Sequence, residues 1–228
     1  MSSSLLLENS LTLNMLNVLM YPGNQKNKLV IFTYHRILNN TDCLLKDDID
    51  VATFDWQLSI LSRLFNVIPL SEAIDRLRRD CSLPAAAACI TFDDGYLDNY
   101  ENAFPLLKKW KLPATIFVAT GFLDGGRMWN DSVIEAVRAA TGTELDLTAI
   151  GFGKFPIECD RSKETSIANI LNQLKYLSYD ERMSRVEKIT DIVGENLPNN
   201  LMMTSNQVIE LHDAGVEIGA HTVNHPIL

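Results

Sequence analysis

At 228 residues, with 46% hydrophobic and 21% charged residues, the chain has the composition of a folded globular protein and not of a disordered one. Its 20 basic against 29 acidic residues give a net charge of −9, which excludes a broad electrostatic footprint for nucleic acid or an anionic membrane surface. The four cysteines, Cys43, Cys81, Cys89 and Cys159, show no CxxC and no regular spacing, so reduced thiols are expected. No apolar run reaches the roughly 18 residues of a membrane-spanning helix.

Residues 1–28 are apolar, with no Lys or Arg before Lys26, and Glu8, Asn9, Asn14 and Asn17 interrupt the run. A secretory leader needs a basic start and an unbroken apolar stretch. The segment therefore reads as a peripheral amphipathic helix preceding a domain over 29–228, and the protein as cytoplasmic. LVIFTY at 29–34 is a short run of apolar and β-favouring residues and reads as a buried strand. Thr53 then opens a helix with Phe54, Leu58, Leu61 and Phe65 on one face. Ser71 reads as the N-cap of a second helix, SEAIDRLRRD.

AACITF at 87–92 is a second buried strand, followed by a helix over 99–110 and a third strand over 114–119 closed by Gly121. Short apolar strands alternating with helices predict an α/β domain with parallel strands, either a barrel or a doubly wound sheet. Over about 123–200 the rhythm changes to mixed charge, with helices expected at 164–177 and 179–193 and no convincing buried strand. That is long for one βα connection, so it reads as a helical insertion capping the core. A helix over 205–214 and a strand over 216–220 resume the alternation.

Two groups of chemically competent residues follow predicted strands, where parallel α/β folds assemble their sites. The first is Thr91-Phe92-Asp93-Asp94-Gly95. Adjacent carboxylates repel unless a cation or a shared proton neutralises them. Successive side chains on extended backbone diverge, so one Asp suits metal and the other substrate. The second is His221-x-x-x-His225, whose spacing brings both imidazoles to one side of a turn. Two imidazoles and one carboxylate favour a borderline divalent metal, zinc first, and leave positions open for water, as in catalytic sites. AACITFDD also resembles a Walker-B strand, but Gly151-Phe-Gly-Lys154-Phe155 has neither the spacing nor the hydroxyl of a phosphate loop, which removes a phosphotransferase.

TFDDG at 91–95 and HTVNH at 221–225 resemble the first two motifs of the polysaccharide deacetylases, the NodB-homology family (carbohydrate esterase family 4). Tyr34-His35 and the stretch FDWQLSILSRLFNVIPLSEAI look like members acting on exopolysaccharides and poly-N-acetylglucosamine. The resemblance spans about 29–120 and 206–228, outside the insertion. It implies a distorted (β/α) barrel of the NodB type and a divalent metal, most simply Zn2+, held by Asp94, His221 and His225. It makes Asp93 the catalytic base in removal of N-acetyl groups from an amino-sugar polysaccharide by metal-activated water. Thr222 matches the Ser/Thr that steadies the histidine loop, and His35 takes a substrate-facing or supporting place.

The family's later motifs, an Arg segment with a backbone oxyanion donor, an Asp-Trp segment and a Leu-x-His carrying the general acid, find no counterpart before Leu228. The expectation is therefore of a chain incomplete after the second motif, able to bind metal and slow or inactive in turnover. The competing reading is a non-catalytic barrel that binds glycan or a partner. His212 is read as favourable with a helix C-terminus, and Trp56, Trp110 and Trp129 as packing or surface residues.

Overall fold

A computed structural model describes residues 28–194 and 196–226, so the amphipathic helix expected at the N-terminus lies outside the described residues. Strand β1 (Leu29–Tyr34) has the bounds expected of it but not the burial: none of its residues is fully buried, and Ile31 and Thr33 are exposed, because it forms an edge of the main sheet. β2 (Ile37–Leu38) and β3 (Ile49–Asp50) pair with each other in a small parallel ribbon. Helix α1 (Val51–Leu64) starts two residues before the expected Thr53. Its cap is Asp50, whose carboxylate accepts from the Thr53 N–H at 2.8 Å, so Thr53 is the N3 residue and not the cap. Phe54, Leu58 and Leu61 form its buried stripe, as the spacing required.

After β4 (Asn66–Val67) comes α2 (Leu70–Arg78). Ser71 is not its cap. The helix follows Pro69, and Ser71 instead donates both its N–H and its hydroxyl to Glu217 on the last strand. β5 (Ala87–Phe92) is buried at all six positions because it lies in the middle of the sheet with helices and core on its two faces. A π-helical turn (Asn99–Ala103) runs into α3 (Phe104–Trp110), with Pro105 in the first turn, where its missing N–H costs nothing. β6 (Thr115–Val118) follows.

The segment over 123–200 is richer than the two helices expected of it. It contains α4 (Trp129–Ala139), an antiparallel hairpin of β7 (Glu144–Asp146) and β8 (Lys154–Pro156), α5 (Asp160–Lys175) and α6 (Tyr179–Val193). The hairpin escapes a search for buried strands because each three-residue strand buries only its central residue, Leu145 or Phe155. These elements have their own core of Val133, Val137, Leu145, Phe155, Ile170, Leu174 and Ile189. Arg182 closes the α5–α6 corner by donating to the carbonyls of Leu174, Lys175 and Leu177, and its guanidinium lies over Trp129.

Helix α7 (Ser205–Asp213) starts with a reciprocal cap between Thr204 and Gln207, and His212 lies in its last turn as expected. β9 (Glu217–Ala220) completes the main sheet, which runs β1-β5-β6-β9, all parallel, with β4 pairing beside the start of β5. Among the described residues this sheet is open, with β1 and β9 at its edges; it has the parallel strands expected of an α/β domain and is not closed into the distorted barrel that the resemblance implied. Phe54, Leu58, Ile90, Phe92, Ile116, Val118 and Leu211 pack the main core. No described helix is long and apolar enough to cross a membrane, and the four cysteines are free, only Cys89 being buried.

Candidate metal centre

The carboxyl ends of β5, β6 and β9 meet at one point. β5 continues one residue past its end, where the Asp93 N–H donates to the Tyr34 carbonyl at 2.9 Å. The chain then reverses through two left-handed residues, Asp94 (φ 74°) and Gly95 (φ 84°), with the Gly95 N–H returned to the Asp93 carbonyl at 3.0 Å. Glycine is required at 95 on two counts: the positive φ, and a Cβ there would meet Val118 Cγ1 at 3.0 Å. The Asp94 carbonyl accepts from the Ala119 N–H at 3.0 Å, tying the turn to the end of β6. This reversal separates the two acids: Asp94 is 3% exposed, whereas Asp93 is only half-buried.

Opposite, the His221 N–H donates to the Val118 carbonyl at 2.9 Å, extending the β6–β9 pairing by one residue. Thr222 (φ 64°) and His225 (φ 44°) are both left-handed, and the Thr222 hydroxyl accepts from the His225 N–H at 3.0 Å. A β-branched residue in that region is strained, and strain retained at a strand end accompanies function. The compact loop brings both imidazoles to Asp94: Nε2 of His221 lies 3.4 Å, and Nε2 of His225 3.3 Å, from the same Asp94 Oδ1. The rings are 5.1 Å apart between centroids.

The donor set fits a metal. Ligand bonds of about 2.0–2.1 Å put tetrahedral neighbours roughly 3.3–3.4 Å apart, which is the spacing of Asp94 from each histidine. Asp94 Oδ1 is fully buried with no hydrogen-bond donor, an expensive condition for a carboxylate oxygen unless a cation neutralises it. One ligand atom from each of the three residues lies within 4.8 Å of the others. Burial pushes the Asp94 carboxyl above its ordinary range, against the pull of His225, His35 and His221. A metal held by these three residues, with both histidines about one third exposed, would keep an open side for water or substrate.

His35 is exposed just past β1; Asn99 Nδ2 donates to its carbonyl at 2.8 Å, and its side chain is near enough to act electrostatically on Asp94. Sequence reasoning missed the polar network behind the turn. Arg36 pairs with Asp98 at 2.9 Å and covers the Tyr96 ring at 4.7 Å, and the Tyr96 hydroxyl donates to Asp131 in α4 at 3.2 Å. Partners separated by 62 and 35 residues leave no local signal, although Asp98 stands four positions beyond Asp94 in a run already singled out.

Residues 82–145 match the sequence model of the family described as polysaccharide deacetylase. YxkH of Bacillus subtilis (strain 168) is 34% identical over 91 residues, 40% of this chain and 32% of that protein. The poly-beta-1,6-N-acetyl-D-glucosamine N-deacetylase of Staphylococcus aureus (strain MSSA476) is 53% identical over 110 residues, 42% of this chain and 38% of that protein. The solved de-N-acetylase from Aggregatibacter actinomycetemcomitans aligns with a TM-score of 0.47 at 18% identity, covering 85% of this chain and 54% of that one. The matched part of this chain thus spans about a third of the curated relatives' length.

Proposed function

We propose, from the match of residues 82–145 to the polysaccharide deacetylase family model, that the chain is a metal-dependent hydrolase removing N-acetyl groups from an amino-sugar polysaccharide. The observation that carries this reading is the buried, donorless Asp94 Oδ1 with a histidine Nε2 on either side of it. Asp94, His221 and His225 hold the metal, with Zn2+ the best match to two imidazoles and one carboxylate. When bound, such an ion acidifies a water and polarises an amide carbonyl.

The protein's own part is positioning and proton handling. Asp93, half-buried beside the ligand turn, accepts the proton of the attacking water at its carboxylate. Its backbone is anchored by the bond to Tyr34, which holds the carboxylate in register with the centre. Thr222 fixes the backbone of His225, and His35 stands at the mouth, exposed to meet the sugar. The Staphylococcus aureus relative points to β-1,6-linked N-acetylglucosamine as the polymer. The open sheet corresponds to part of a NodB-type (β/α) barrel with the insertion capping one side.

Zinc calorimetry on the metal-stripped chain, followed by acetate release from N-acetylglucosamine oligomers, tests the assignment. Asp94→Ala abolishes binding, whereas Asp93→Asn retains it and lowers turnover by about 10²-fold or more. Equal zinc affinity in the wild type and Asp94→Ala would remove Asp94 from the ligand set.

A further inference from the structure

The histidine loop rests on the turn that follows β6, which it meets at Thr120 and Gly121. The Thr120 N–H donates to the Thr222 carbonyl at 3.2 Å, and the Gly121 N–H donates to the Val223 carbonyl at 2.9 Å. A Cβ placed on Gly121 would lie 2.5 Å from that same Val223 oxygen, 3.0 Å from Asn224 Oδ1 and 3.1 Å from Val223 Cγ1. The nearest of these atoms is backbone, so no rotamer change relieves the contact. Gly121 is not in the left-handed region, so its backbone accepts any residue; space alone demands glycine.

We infer that Gly121 is a positioning residue for the metal centre: its missing side chain lets the 221–225 loop seat deeply enough to bring His225 to Asp94. This rests on the metal reading above. A methyl group at 121 forces the Val223 carbonyl outward by about half an ångström to reach even the tightest ordinary contact. That displacement matches the tolerance of roughly 0.5 Å within which a metal constellation must be held. The loop has an easy way to yield, because Thr222, Val223 and Asn224 are exposed. The fold therefore survives the substitution while the ligand geometry does not.

The test is a cobalt(II) titration of the metal-stripped 228-residue chain, read by visible absorption, with thermal unfolding of each metal-free variant. Gly121→Ala is compared with the wild type, with His225→Ala, and with Gly153→Ala, where an added Cβ meets nothing within 4 Å. Gly121→Ala is expected to unfold within about 4 °C of the wild type, to bind cobalt about 10–100-fold more weakly, and to show a weaker, shifted visible band. Gly153→Ala is expected to behave as the wild type in all three. Wild-type affinity and band shape in Gly121→Ala overturn the inference, as does a Gly121→Ala chain that fails to fold, since the glycine would then serve the fold as a whole. If wild-type protein binds no cobalt at all, the metal reading itself fails and takes this one with it, a result distinct from either.

Discussion

Asp131 is the residue in which burial and charge are most openly opposed. It is 3% exposed, accepts from the Met128 N–H and the Tyr96 hydroxyl, each at 3.2 Å, and lies near Arg36. Burial outweighs these favourable contacts and raises its pKa to about 6. A folded pKa above the unfolded one means that its contribution to stability is complete below about pH 4 and is lost as pH rises through 6. Asp131→Asn keeps an acceptor without the charge. Between pH 4 and 7 the wild type should therefore lose up to about 3 kcal/mol relative to the variant. Urea unfolding with chelator present, at several pH values, checks this; parallel stability profiles would mean that Asp131 is not held protonated.

Among elements, the seam between α2 and β9 carries a comparable test at the far end of the sheet from the candidate metal centre. Glu217 accepts from the Ser71 N–H at 3.2 Å, from the Ser71 hydroxyl and from Thr115 Oγ1 at 2.7 Å. Partial burial pushes its carboxyl up, but the hydrogen bonds from Ser71 and Thr115 prevail and hold it below the ordinary value. The stabilisation is thus present above about pH 4.5 and disappears as pH falls through the lowered folded pKa. Glu217→Gln should cost about 1 kcal/mol at pH 7, allowing for solvent screening, and almost nothing near pH 3. A penalty unchanged at low pH would assign the effect to packing instead of charge.

At the scale of the whole molecule, two cores support two jobs. The main core sets the strand ends that carry Asp94 and the histidines, and the core of α4, α5 and α6 stabilises the insertion. Tyr96 and Asp131 bridge them. Leu174 is fully buried in the second core. Leu174→Ala should therefore cost about 2–5 kcal/mol locally, faster amide exchange appearing in α4–α6 while β5 keeps its protection and cobalt affinity is unchanged. Loss of protection in β5 to the same extent would show one cooperative unit.

Much of this was legible in the chain itself. The bounds of β5 follow from a compact apolar run buried on both faces, and α6 from its one-sided pattern. The bounds of β1 were legible from its β-favouring residues, while its place at the sheet edge, with no residue fully buried, was not. TFDDG and HTVNH singled out the three residues, Asp94, His221 and His225, that the structure brings together, since strand-end acids and paired histidines are chemically unusual wherever they stand. What tertiary structure decided was everything that depends on distant partners. Glu217 rather than a cap satisfies Ser71, an insertion helix supplies Asp131 behind the site, and a glycine far from the histidines in sequence makes room for their loop. Such contacts obey shape and hydrogen-bond satisfaction, which have no period along the chain, and they exist only once parallel strands have brought their ends together.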